Sequence, residues 1–211
     1  IIAIDGTTAS GKGTIAKRLS AHYGLPHMDT GRLYRATGVA AMRAGVALDD
    51  ADGVAAVARS LDLADFDEAD LRTAEAGKAA SVVAAIPEVR QALFELQRAF
   101  ATQPLGALLD GRDIGTIIAP EADAKLWVDA SVEVRGARRW KELCGQGSDI
   151  ALETVIEQLR VRDQRDQSRK DAPAEMAADA VLIDTTDLTI EAAVEKAIAA
   201  VEAAMARGNR A

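Results

Sequence analysis

The chain has 211 residues, 49% hydrophobic and 27% charged, enough apolar material for a buried core and for one domain with inserted lobes. Acidic residues outnumber basic ones 33 to 25, for a formal net charge of -8, and aromatics make up 3%, a composition that argues against a duplex-binding or base-stacking surface. One cysteine, Cys144, and two histidines, His22 and His27, exclude an intramolecular disulfide and a zinc-ligand set, and no stretch is apolar enough to span a bilayer.

In chain order, "IIAID" (1–5) reads as a short strand buried on both faces, and "GTIAKRLSAHYG" as a helix ending at Gly24. "LPHMDTG" is a brief extended piece followed by a turn, and "RLYRATGVAAMRAGV" is helical. Residues 49–70 are acidic and carry no clear periodicity. "LRTAEAGKAASVVAAI" is helical and stops before Pro87, which opens the next helix, "PEVRQALFELQRAFAT". "GALLDGRD" and "AKLWVDAS" are apolar strands. "SVEVRGARRWKELCGQG" and the very polar "ALETVIEQLRVRDQRDQSRK" are helices, "AVLIDTTDL" is a strand, and "TIEAAVEKAIAAVEAAMA" is a closing helix. Strands alternating with helices predict an α/β fold with a parallel sheet, whose ligands sit outside the carboxyl ends of the strands.

"GTTASGKGT" follows the first strand and opens a helix. Gly6 and Gly11 allow close backbone approach, so the amides from Gly6 through Thr7, Thr8, Ala9 and Ser10 to Gly11 can form an anion nest. The helix start beyond them adds positive potential, and Lys12 adds a full charge. This is a P-loop, with a strand-to-helix turn as the plainer alternative. Its departure is Gly13 after the lysine, where a Mg²⁺-touching hydroxyl usually stands; the hydroxyl falls on Thr14, and no protein metal ligand is assigned.

The arginines point to the second substrate. Arg35 follows "DTG", Arg112 sits in "DGRD" just past a strand, and Arg162, Arg165 and Arg169 are spaced to share one helix face. Planar guanidinium forks suit phosphate oxygens, and several of them would offset charge moving between two phosphates. Asp163 and Asp166 leave open a salt-bridged, solvated face instead. A kinase for a different acceptor, or a non-catalytic ATP-binding regulator, also stays open on residues alone.

The stretches "GTTASGKGT", "DTGRLYR", "KAASVVAAIPEVRQAL", "QRAF", "LLDGRDIGT", "RVRDQRDQSR" and "DTTDLTIEAAVEKA" run in order over nearly the whole chain and resemble the bacterial cytidylate kinases. The resemblance implies a P-loop kinase core with an NMP-binding lobe and a mobile lid: core over 1–38, 104–140 and 172–211, lobe over 39–103, lid over 141–171. It implies transfer of the ATP γ-phosphoryl group to CMP or dCMP, with Mg²⁺. Gly6 to Thr14 would cradle the ATP phosphates, with Lys12 at the transferring group. Thr30, Arg35 and Arg112 would hold the acceptor phosphate, Ser81, Arg90 and Asp113 the base, and Arg162 and Asp166 the sugar. Arg165 and Arg169 would reach the transferring phosphates. The expected setting is cytoplasmic, with small nucleotides as partners and no nucleic acid, membrane or protein partner evident. A small β-rich insert usual in the family looks trimmed between "LDLADF" and "LRTAE", and Lys78 replaces a smaller polar residue.

Overall fold

The computed structural model describes residues 1–208; the end of the last expected core segment, 209–211, lies outside the described residues. It resolves into two compact units: Ile1–Met28 together with the chain from Phe100 onward, and Asp29–Ala99.

The first unit is built on a parallel sheet. Its strands are β1 (Ile2–Gly6), β2 (His27–Asp29), β3 (Leu108–Gly111), β4 (Ala124–Asp129) and β5 (Val181–Asp184), in the order β2-β3-β1-β4-β5. β1 is buried along its whole length, as its unbroken apolar run predicts for a central strand. It pairs with β3 from Ile2↔Leu108 to Asp5↔Gly111 and with β4 from Ile2↔Ala124 to Gly6↔Val128. β4 pairs with β5 up to Asp129↔Asp184. The acidic residues that end these strands therefore collect at one edge of the sheet.

Helices α1 (Lys12–Tyr23) and α9 (Ile190–Gly208) cover one face through Ile15, Ala16, Leu19, Ala193, Ala197 and Val201, packed on Ile4, Leu126 and Ile183. Burying a large aliphatic side chain contributes about 1.5–3 kcal/mol, so this face carries much of the unit's stability. α7 (Val132–Gly145) and α8 (Leu152–Gln167) pair closely: a Cβ on Gly136 would lie 2.4 Å from Ile156 Cγ1, and Trp140 Nε1 donates to the Ile150 carbonyl.

The second unit is helical among the described residues: α2 (Thr30–Arg43), α3 (Ala51–Arg59), α4 (Glu68–Leu71), α5 (Ala74–Val83) and α6 (Pro87–Ala101). α2 crosses α5 where Gly38 faces Ala79, a Cβ at Gly38 falling 2.7 Å from that of Ala79. Four expectations are corrected here. The turn expected at Thr30–Gly31 is already helix, because the Asp29 carboxylate caps Arg32 N at 3.2 Å. The segment 49–70 is two helices and a short 3₁₀ turn, Leu63–Asp65, and aspartates cap two of its starts: Asp50 on Gly53 N, Asp62 on Ala64 N. The helix expected from residue 71 starts at Ala74, capped by Thr73. The strand expected to run to residue 188 ends at Asp184, whose carboxylate accepts from Thr186 N and Oγ1 and turns the chain.

Candidate active site

The residues predicted to cradle phosphate form a loop anchored through Thr7, Thr8 and Ser10. Gly6 leaves β1 at φ 151°, where a Cβ would meet the Val128 carbonyl oxygen at 1.9 Å, so glycine alone fits. Ala9 sits in the left-handed region (φ 62°) and Gly11 follows at φ 93°, the alternation that turns successive amides to one side. Thr7 Oγ1 donates to Asp129 Oδ1 at 2.6 Å, and Ser10 Oγ donates to the Thr7 carbonyl at 2.9 Å. Arg135 Nη1 donates to the Thr8 carbonyl at 3.2 Å; Thr185 Oγ1 and Arg138 Nη1 donate to the Ser10 carbonyl at 2.8 and 3.3 Å. In a trans peptide the N–H points opposite the C=O. The Thr8 and Ser10 carbonyls, held by Arg135 and Arg138, thus aim the amides of Ala9 and Gly11 away from those arginines, and the Thr7 carbonyl, held by Ser10 Oγ, does the same for the amide of Thr8. Lys12 and Gly13 open α1, with the Thr14 hydroxyl exposed in its first turn. The loop between β1 and α1 thus has a backbone conformation in which an anion nest can form.

Beyond β3, Arg112 and Asp113 lead into a single π-helical turn, Ile114–Ile118, where the sequence gives no sign of regular structure. Its first two amides, Ile114 N and Gly115 N, are held by the two Asp5 carboxylate oxygens at 2.9 and 2.8 Å. Asp5 and Asp113 are each 4% exposed. Burial pushes the Asp5 carboxyl up to about 7; the amides of Gly115 and Ile114 pull the other way, Asp113 adds to the rise and Arg112 opposes it. The folded protein thus holds a proton up to about pH 7 that an unfolded chain releases near 3.8. Stability therefore falls as pH rises through that window, by about 1.4 kcal/mol for each unit by which the pKa is raised. Denaturant titrations at several pH values are expected to show this slope in the wild type and not in Asp5→Asn; parallel slopes would contradict it.

Two ion pairs join α8 to the donor loop. Arg112 Nε donates to Asp166 Oδ2 at 3.2 Å and Arg112 Nη2 to Thr8 Oγ1 at 2.6 Å. Arg135 Nη2 donates to Asp163 Oδ2 at 2.7 Å. The aspartates of the polar helix therefore form salt bridges with arginines of other elements. Burial raises the Asp166 carboxyl, but Arg112, Arg162 and Arg169 together outweigh it and hold the group below the usual carboxylate range. Of the three arginines expected on one helix face, Arg162 and Arg165 lie on α8, but Arg169 lies beyond its end at Gln167 and reaches back, Nε donating to the Asp166 carbonyl at 3.2 Å. Arg165 is exposed.

In the helical unit, Thr30 is buried at the first position of α2. Arg35 Nη2 donates to Asp29 Oδ2 at 2.6 Å, while Arg35 Nε is buried with no hydrogen-bond partner among the described residues. Ser81 on α5 and Arg90 on α6 are 5% and 9% exposed, so neither is a surface residue. The Arg90 guanidinium lies 5.7 Å from the Tyr34 ring centroid and donates to the Ala84 carbonyl at 3.4 Å.

Sequence reasoning passed over Asp5, Arg135 and Arg138. Arg138 spans the Ser10 carbonyl and both oxygens of Thr185. His27 Nε2 lies 2.7 Å from Asp110 Oδ2, tying β2 to β3. The signal for Asp5 was present: a carboxylate inside an otherwise apolar buried strand requires partners.

Comparison with known proteins shows the family. The family described as Cytidylate kinase matches residues 2–203. A cytidylate kinase of Methylocella silvestris is 57% identical over 204 residues, covering 97% of this chain and 94% of the relative. One from Xanthobacter autotrophicus is 58% identical over 203 residues, covering 96% and 97%. Among solved structures, a gluconokinase from Sinorhizobium meliloti superposes with a TM-score of 0.51 at 12% identity, covering 98% of this chain and 93% of that one, a likeness of fold alone. With a P-loop on a parallel sheet, an arginine–aspartate cluster beside it and a family match over nearly the whole length, the chain belongs to the cytidylate kinase family of phosphotransferases.

Proposed function

We propose that this chain moves the γ-phosphoryl group of ATP onto the phosphate of CMP or dCMP, giving ADP and CDP or dCDP, in the cytoplasm. The observation that carries the reading is Thr8: a residue at the apex of the anion loop is gripped by Arg112, which also holds the buried Asp166. A guanidinium suited to an acceptor phosphate therefore stands directly beside the donor loop.

In this reading the amides of Gly6 to Thr14 and the Lys12 ammonium hold the donor phosphates. Thr30, Arg35 and Arg112 hold the acceptor phosphate, whose oxygen is the nucleophile. It is already ionised near neutral pH, so no strong general base is required and no covalent enzyme intermediate forms. Arg112 leaves Thr8 and Asp166 to do this. Residues 141–171 act as a lid, bringing Arg165 and Arg169 toward the transferring group and excluding water. Arg162 and Asp166 hold the sugar. Ser81, Arg90 and Asp113 read the base: cytosine N3 accepts from a guanidinium and the 4-amino group donates to a carboxylate, whereas uracil reverses both edges.

Among the described residues no group of three or more carboxylate, histidine or cysteine side chains could hold a metal ion, and Asp110 is engaged with His27. Mg²⁺ would be carried in on the nucleotide, as a cation that keeps most of its water and binds phosphate oxygens. When bound it supplies neutralising charge on the donor phosphates. Lys12 and the loop amides complement it from the protein side.

The test is to give the protein ATP made chiral with oxygen isotopes at the γ-phosphoryl group, together with CMP. The group is expected on CDP with inverted configuration, as a single in-line displacement requires. Retention, or recovery of the label only as inorganic phosphate, would overturn the reading.

A further inference from the structure

We infer that Asp163 and Arg135 form a positioning pair that keys α8 to the donor loop through the Thr8 carbonyl. This inference rests on the donor-loop reading above and adds residues that no substrate role claims.

Arg135 is 5% exposed, and each of its nitrogens has a different task. Nε donates to the Ala130 carbonyl at 2.8 Å, which anchors the guanidinium at the junction of β4 and α7. Nη1 donates to the Thr8 carbonyl at 3.2 Å, and Nη2 to Asp163 Oδ2 at 2.7 Å. With Nε fixed, the plane of the fork has one remaining degree of freedom, rotation about its own bond, and the Asp163 carboxylate sets it. The Thr8 carbonyl then fixes the peptide it shares with Ala9, a residue in the strained left-handed region. The amide of Ala9 is one of those aimed into the nest.

The second bridge between α8 and Thr8, Arg112 between Asp166 and the Thr8 hydroxyl, must open when Arg112 takes up an acceptor phosphate. The Asp163–Arg135–Thr8 link uses neither nucleotide nor Arg112 and persists through that exchange. It keeps the helix that carries Arg162 and Arg165 attached to the loop at one point, a pivot for lid closure, while the other contact is lost. A point-charge ammonium cannot serve three acceptors in one plane, so lysine at position 135 would not replace arginine.

A second pair supplies the control. Arg160 Nη2 reaches Glu133 Oε1 at 3.2 Å across the same two helices, but both side chains are more than half exposed and neither touches the loop. If simple stapling of α7 to α8 were the function, both pairs would matter alike.

Three variants, Asp163→Asn, Arg135→Lys and Glu133→Gln, separate the possibilities. Two readouts are measured: hydrogen exchange of the peptide spanning Gly6–Gly11 without nucleotide, and the ratio of transfer to CMP against ATP hydrolysis without acceptor. Asp163→Asn and Arg135→Lys are expected to speed exchange in that peptide by about ten-fold and lower the coupling ratio by about five-fold, with KM for CMP within about two-fold of wild type. Glu133→Gln is expected to match wild type in both. A folded Asp163→Asn with wild-type exchange and coupling would overturn the inference, as would a Glu133→Gln that behaves the same as Asp163→Asn. A wild type that leaves CMP unphosphorylated while Asp163→Asn still loosens the loop would sink the functional reading and leave the positioning pair standing.

Discussion

Replacing Lys12 by alanine will lower kcat for CMP phosphorylation by about 10³-fold or more, the range seen when a charge aimed at developing phosphate charge is removed from a water-poor site. The expectation follows from the loop's construction. Its amides supply partial charges held by carbonyl bonds to Arg135, Arg138 and Thr185. Lys12 supplies a full charge at the first position of α1, where the helix start adds to it. Alanine is the best helix former, so the helix survives and the thermal midpoint is expected to stay within a few degrees of wild type. Turnover within ten-fold of wild type, in a variant of normal stability, would remove Lys12 from the transfer step.

Arg112→Ala is expected to cut kcat/KM for CMP by about 10³-fold while KM for ATP moves by less than about three-fold, because the proposed contact to the acceptor phosphate would be lost while the loop keeps its other anchors. This substitution also takes from Asp166, whose side chain is 8% exposed, its hydrogen-bonded arginine, leaving Arg162 and Arg169 as its cationic neighbours. The variant will therefore also be less stable, by less than the about 3–5 kcal/mol that leaving a buried charge wholly unpaired costs. The pH sign is defined. Asp166 is held below its usual range in the fold, and so contributes stability above the ordinary carboxylate value that is lost as pH falls through the folded value. Without Arg112 that loss begins at higher pH. Arg112→Lys keeps one charge near Asp166 and recovers part of the stability, yet it cannot fork onto phosphate; its kcat/KM for CMP will stay near that of alanine. Equal losses in the use of ATP and CMP would contradict the acceptor role.

The form of the loop between β1 and α1 was legible in the sequence because everything that defines it is local: glycines, a lysine and a helix start within eight residues. The parallel sheet was legible for the same reason, its strands being short unbroken apolar runs. What stayed hidden depends on partners far along the chain. Arg135 and Arg138 read as ordinary charges on a polar helix, but their acceptors Thr8 and Ser10 lie 127 and 128 residues away. The π-turn after Asp113 has no periodic signature, since its shape comes from Asp5, 109 and 110 residues upstream of the amides it holds. Residues 49–70 concealed their helices because the aspartates that cap them are indistinguishable, by composition, from the acidic residues around them. Arg169 missed its expected helix face because α8 stops at Gln167, one turn sooner than its polar run suggests.

The account is tested most directly by a competition in which CMP and UMP, at equal concentration, share limiting ATP labelled at the γ position. In the proposed reading the base-binding groups suit cytosine and leave uracil with both edges mismatched, and sites that read a base by buried hydrogen bonds reject the wrong one by factors up to about 10⁴. Label in CDP, with UDP at background, is the predicted result. Equal labelling of the two products, or label released only as free phosphate, would contradict it.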